Sequence, residues 1–192
     1  NVWKKRQPEK KPTIFFQANF SWLQNIEAAQ HLAENVFPLV KEKTKDVQCW
    51  IVGQSAKEKI GKLANGDIKI IDLSNADTKG VIDAYRKATV FVAPLEGPGG
   101  TRLKILGAMA AGVPVVTSKI GIEGIDARDG EDVLVANNWK EMAEKTCLLL
   151  EEKNLYQRIT KSARKLVEEK YSYQSIAKLL SEIYKEVAGG KN

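Results

Sequence analysis

Gly97-Pro98-Gly99-Gly100-Thr101-Arg102-Leu103-Lys104 runs from a strand-like Val90-Phe91-Val92-Ala93-Pro94-Leu95 into a helical Ile105-Leu106-Gly107-Ala108-Met109-Ala110-Ala111. A strand, a glycine loop and a helix make a phosphate-ready corner. The first backbone N–H groups of a helix have no intrahelical partner, carry the positive end of the macrodipole, and meet an anion closely only where side chains are absent. Arg102 and Lys104 add full charges there. Gly112-Val113-Pro114-Val115-Val116-Thr117-Ser118 then reads as helix stop, turn and buried parallel strand, which completes one βαβ unit.

Working outward, Thr13–Ala18, Val47–Gly53 and Asp67–Ile71 precede this unit as strands, and Val133–Ala136 follows it. Helices separate them. The helix opening at Asn25 places Ile26, Ala29, Leu32, Ala33, Val36, Phe37 and Val40 at helical spacing, and Ser55 is placed to cap a helix reaching Leu63. Further helices are read at Asp77–Arg86, Trp139–Glu151, Leu155–Glu169 and Tyr173–Val187. The alternation predicts an α/β fold: a Rossmann-like, doubly wound parallel sheet of about six strands with helices on both faces. In such sheets ligands bind beyond the carboxyl ends of the strands, where the Asn19–Trp22 loop, the Gly53 turn and the Gly97–Lys104 loop would meet.

The chain has 192 residues, 43% hydrophobic and 28% charged, which suits one soluble α/β domain. No apolar run approaches the ~20 residues of a membrane helix. The net charge of +6 is spread over a polar arm and over terminal helices where lysines alternate with glutamates, so a solvated face is favoured over nucleic-acid binding. Cys49 and Cys147 fall on buried-type positions, and reduced thiols and a cytoplasmic setting are expected. Residues 1–12 lack apolar periodicity and read as an arm or linker from a missing N-terminal domain; residues 13–192 read as one domain with its C-terminal helices. With neither initiator methionine nor signal peptide, the chain reads as part of a longer protein.

Pro94-Leu95, Gly99-Gly100-Thr101-Arg102-Leu103-Lys104-Ile105-Leu106, Ala108-Met109-Ala110-Ala111-Gly112-Val113-Pro114-Val115-Val116 and Gly121-Ile122-Glu123-Gly124 closely resemble the nucleotide-sugar-binding half of retaining GT-B glycosyltransferases of the family 4 group, the glycosyl transferases group 1. Phe20-Ser21-Trp22 with Asn25, Ile51-Val52-Gly53 and Asp129–Val135 agree with it, and the resemblance runs roughly from Thr13 to Tyr184. It implies transfer of a sugar from a nucleoside diphosphate donor to an acceptor, with the acceptor site and several catalytic groups in an N-terminal domain. The donor would be bound by Ala18, Asn19, Trp22, Gly53, Gly99, Gly100, Thr101, Arg102, Leu103, Lys104 and Gly107.

In that reading the backbone N–H groups of Thr101 to Lys104 face the diphosphate, and Arg102 and Lys104 either share that site or remain surface charges of the first helical turn. Trp22 packs against substrate or partner domain, or staples the next helix. Ala18 stands where the family usually has glycine, which requires a negative φ at this position. The family's paired glutamates, beside the donor sugar and on the ribose diol, align with Gly99 and Gly107. Glu96 occupies neither register, and the catalytic residues are left unassigned.

No Asp-x-Asp motif appears, so neither metal nor cofactor is implied beyond the nucleotide-sugar substrate. His31 reads as an ordinary helical residue. The longer protein's contact with a membrane surface is left open. Gly107 and Ala18 also feed a rival reading: a degenerate, non-catalytic GT-B-like domain serving as a scaffold or partner-binding module.

Overall fold

The computed structural model describes residues 6–74, 76–97 and 102–189. Six strands form one parallel sheet: β1 (Thr13–Asn19), β2 (Gln48–Gln54), β3 (Ile68–Asp72), β4 (Val90–Ala93), β5 (Val115–Ser118) and β6 (Leu134–Ala136). Their order is β3-β2-β1-β4-β5-β6, so the chain reverses its direction of winding between β1 and β4. That reversal opens a crevice at the carboxyl edge, because the loops leaving β1 and β4 turn toward opposite faces. The register sets Ala18 beside Gly53 and Phe15 beside Phe91.

Among the described residues there are eight α-helices: α1 (Leu23–His31), α2 (Phe37–Lys43), α3 (Ala56–Ile60), α4 (Thr78–Lys87), α5 (Leu103–Ala110), α6 (Trp139–Glu151), α7 (Lys153–Leu166) and α8 (Tyr173–Gly189), the last with no buried residue. Helices α1, α2, α3 and α6 share one face, with α2 against α6. On the other face α5 packs against α7, and Tyr85 of α4 meets α5 at Gly107. Both central strands are apolar because both their faces are covered. Phe15 and Phe16 point to opposite faces, Phe15 meeting Tyr85 and Phe91 at ring separations of 4.8 and 5.6 Å and Phe16 meeting Phe20 at 6.3 Å.

Several expectations shift in detail. The single helix expected from Asn25 starts at Leu23 and widens over Leu32–Val36, where the N–H of Phe37 reaches the carbonyl of Leu32. Pro38 at the start of α2 has no N–H to offer the preceding turn, which accounts for the wider turn. Ser55 does not cap α3: it adopts φ 57° without a side-chain cap bond, and the Asp72 carboxylate accepts from the Lys57 N–H at 3.0 Å instead. β3 and α4 each begin one residue later than read, with Asp77 capping α4 through the Gly80 N–H. Helix α7 continues as a wide turn over Val167–Tyr171.

Gly112 ends α5 as expected. With φ +71° it directs its own N–H to Met109 O and that of Val113 to Ala108 O, the two bonds of a left-handed helix stop. Residues 6–12 are not a free linker. Gln7 and Glu9 N–H groups bond to the Arg86 and Lys87 carbonyls, Gln48 N–H bonds to Pro12 O, and the Arg6 guanidinium donates to the carbonyls of Ala88 and Gly112. The arm is thereby stitched to the amino edge of the sheet, the pole opposite the crevice.

Candidate functional site

At the carboxyl edge β1 delivers Gln17, Ala18 and Asn19, β2 delivers Gly53 and Gln54, and the segment after β3 delivers Leu73 and Ser74. They line a cavity of about 140 Å³. Ala18 is buried, and the only non-glycine residue with positive φ among the described residues is Ser55, so the alanine meets the condition set by its methyl group. Gly53 has φ +147°, and a Cβ placed on it would lie 1.8 Å from the Ala18 carbonyl oxygen. The close approach of the two strand ends therefore requires glycine.

Gly99, Gly100 and Thr101, expected to contact substrate, lie outside the described residues. Lys104 on the first turn of α5 donates to Asn25 Oδ1, and its Nζ sits 5.4 Å above the Phe16 ring. Asn25 Nδ2 in turn donates to Asn19 O at 2.7 Å. One cation thus ties the first turn of α5 to α1 and, through Asn25, to the end of β1. Burial, reinforced by the charge of Arg102, pulls the Lys104 ammonium down to about 8.

Arg102 is buried, and its guanidinium donates to Ile120 O at 2.9 Å and to Gly97 O at 3.4 Å. It braces the loop from beneath while leaving its charge close to the helix start. Trp22 and Leu103 are 61% and 69% exposed, together with Leu23 at 66%. This exposure does not fit the staple reading of Trp22, which needs a packed side chain. Gly107 faces Tyr85, and a Cβ placed on it would lie 3.5 Å from the Tyr85 hydroxyl, an ordinary contact distance. That hydroxyl lies 3.1 Å from Lys104 O and 3.3 Å from Gln17 Oε1.

Sequence reasoning did not single out Gln17, Asn25 as a lysine partner, or Gln54. Gln54 Oε1 is buried without a hydrogen-bond partner and lines the small cavity. Position was the available signal, since Gln17 and Gln54 flank Ala18 and Gly53 at the strand ends. Among the described residues no group of His, Cys, Asp and Glu side chains could hold a metal ion, and no helix is long and apolar enough to cross a membrane.

The arrangement can bind an anion between a helix start and a partly buried lysine, next to a small polar and apolar cavity at the winding reversal. The family model for "Glycosyl transferases group 1" matches residues 11–152. A phosphatidyl-myo-inositol mannosyltransferase of Mycobacterium leprae is 37% identical over 98 residues, 50% of this chain and 26% of that protein. A glycosyltransferase structure from Rickettsia africae superposes with a TM-score of 0.70 at 23% identity, over 96% of this chain and 50% of that one. HepE from Anabaena, crystallised with UDP and glucose, superposes with a TM-score of 0.67 at 16% identity, over 89% of this chain and 48% of that one. The chain thus spans about a quarter of that mannosyltransferase's length, and 34% of a 44.6 kDa protein of the Klebsiella pneumoniae cps region that is 26% identical over 131 residues. This chain has the architecture of the C-terminal half of a GT-B protein.

Proposed function

Since this chain belongs to the glycosyl transferases group 1, we propose that it is the donor-binding half of a two-domain enzyme that moves a sugar from a nucleoside diphosphate to an acceptor, with retention at the anomeric carbon. The observation that carries this reading is Lys104, held between Asn25 and Phe16 where the first turn of α5 meets α1 and β1. The diphosphate lies at the start of α5, countered by Lys104 and by the nearby charge of Arg102. The nucleoside extends over the β1, β2 and β3 ends, where Gln54 Oε1 is a waiting acceptor. Fixed charges and dipoles of this kind stabilise a departing diphosphate without reorganising.

Trp22, Leu23 and Leu103 form an exposed apolar rim at the crevice, which fits coverage by the acceptor-binding domain of a longer protein. The isolated 192-residue chain accordingly binds nucleotide and does not turn over. HepE, whose structure holds UDP, shares this fold. The setting we propose is the cytoplasm, where nucleotide donors and reduced Cys49 and Cys147 coexist.

Titration calorimetry with UDP, GDP and ADP, combined with chemical-shift mapping, tests the proposal. At least one nucleotide should bind and shift Asn19, Gly53 and Lys104; shifts confined elsewhere would remove the site. Lys104→Ala should weaken the diphosphate much more than the parent nucleoside, and equal losses would leave Lys104 only the structural role of tying α5 to Asn25. The pH dependence has a definite sign. Lys104 is charged below about 8, so diphosphate affinity is full at lower pH and declines as pH rises through that value. Folding responds oppositely: between about 8 and the ordinary lysine value of ~10.4 the unfolded chain binds more protons, so this group adds stability as pH rises.

Gly107→Glu tests the ribose contact implied by the family pattern. A Cβ at this position has room beside Tyr85, and a carboxylate holding a diol through a charge-assisted bond is worth roughly 1.5–3 kcal/mol. Nucleotide affinity should rise about tenfold or more, without loss of thermal stability, because a helix-interior glycine disappears. A folded variant with no gain would mean either that another residue already supplies the ribose contact or that the site has drifted beyond repair, and a nucleotide-bound structure would separate the two. The absent carboxylate at Gly107, with Ala18, favours the rival reading of a non-catalytic relative, and absence of all nucleotide binding would select it.

A further inference from the structure

A second and larger cavity, about 490 Å³, opens at the carboxyl edge over β4, β5 and β6, whereas the smaller one lies over β1 and β2. Its size falls within the ~300–1,000 Å³ of ligand pockets. Leu95, Ile120 and Ala136 give it apolar lining, Trp139 an aromatic one, and Glu96, Lys119, Asn137 and Asn138 its polar and charged groups. His31 stacks on the Trp139 indole at 4.8 Å and 24°, while its Nε2 lies 3.2 Å from Glu96 Oε2. Helix α1 thus contacts two lining residues at once.

We infer that this cavity is a saccharide subsite that receives a neutral pyranoside ring against Trp139, with Glu96, Asn137 and Asn138 on its hydroxyls. Its use for the acceptor rests on the donor-binding reading above; the class of ligand does not. The chemistry selects a neutral polyol over an anion. The start of α6 is already occupied: Asn138 Oδ1 accepts from Glu141 N–H, and Glu141 Oε2 accepts from Asn137 N–H and Nδ2. The Asn137 bonds and Lys145 bring the Glu141 carboxyl down to about 2, and its pairing with Lys145 at 2.9 Å leaves no net charge at the start of α6, while the lining carries one anion and one cation, Glu96 and Lys119. Asn137 Oδ1 and Asn138 Nδ2 take no part in those bonds and supply one acceptor and one donor. A hydroxyl-bearing ring offers both kinds of partner, and its C–H face suits an indole beside apolar lining.

The test is chemical-shift mapping of the 192-residue chain with methyl α-D-glucopyranoside, methyl α-D-mannopyranoside and N-acetyl-D-glucosamine, at concentrations on the order of 10 mM to match affinities in the millimolar range. At least one should shift the Trp139 indole N–H and the Asn137 and Asn138 side-chain amides. Trp139→Ala should weaken that response at least tenfold while leaving the UDP, GDP or ADP response intact. Asn137→Ala, at an exposed position, gives a second reading independent of the Trp139–His31 stack and should weaken binding severalfold. Saccharide binding without nucleotide binding would support the subsite and remove the donor reading. Nucleotide binding without any saccharide shift at Trp139, or a response unchanged in both variants, would overturn the subsite.

Discussion

Gly53→Ala is expected to destabilise the domain by about 3–5 kcal/mol and to lower the thermal midpoint by about 10 °C or more. The glycine lies in the β2 end that pairs with Ala18, at φ +147°, and a methyl group would be driven to 1.8 Å from a backbone oxygen. Backbone cannot swing aside as a flexible side chain can. The pair must part, which breaks the end of the β1–β2 ladder and displaces the Leu73 N–H from its bond to Gly53 O. Nucleotide binding should therefore fall with stability. Gly61→Ala is the matched control, since nothing lies within 4 Å of its added methyl, and it should stay within about ±0.5 kcal/mol. A Gly53→Ala protein as stable as that control would show that the strand ends do not need this close approach.

Arg6→Ala is expected to cost about 2–4 kcal/mol while leaving nucleotide affinity unchanged. The guanidinium donates to the carbonyls of Ala88 and Gly112, both in buried residues, and each acceptor left without a partner costs roughly 1–3 kcal/mol. Part of the guanidinium's own burial cost is recovered, which places the sum below the upper bound. Chemical denaturation of the variant against the parent chain measures the loss directly. Hydrogen exchange adds a local readout, because the amides of Gln7 and Glu9, bonded to Arg86 and Lys87, should lose protection first. A variant of parental stability would mean that water satisfies both carbonyls and that the arm holds by its backbone bonds alone.

The fold was legible because its strands are apolar runs punctuated by glycine and separated by helical periodicity, a pattern that only a parallel sheet satisfies. Element ends were less so. Ser55 looks like a helix cap by residue type, yet the left-handed backbone it adopts turns its hydroxyl away from that role, and Asp72 from β3 takes the bond instead. Of the site, Lys104 and Gly53 could be read from the motif, but the depressed ammonium of Lys104 comes mainly from its burial, which only packing sets, with the charge of Arg102 two residues earlier adding to it. Arg6 carried no signal, since its acceptors lie 82 and 106 residues away in the chain. The His31, Glu96 and Trp139 group was hidden for the same reason, and His31 read alone looked like any helical histidine.

Because Arg6 clamps the arm to the amino pole, residues 6–12 move as part of the domain, and a pivot against any partner domain cannot lie within them. A β-strand rises about 3.3 Å per residue, so a seven-residue strand such as β1 separates the clamp from the ligand edge by roughly 20 Å. The sheet is then a lever. A rotation of about 10° about a fulcrum near the clamp sweeps the Trp22 and Leu103 rim through roughly 3–4 Å, the difference between a contact and a gap wide enough for water.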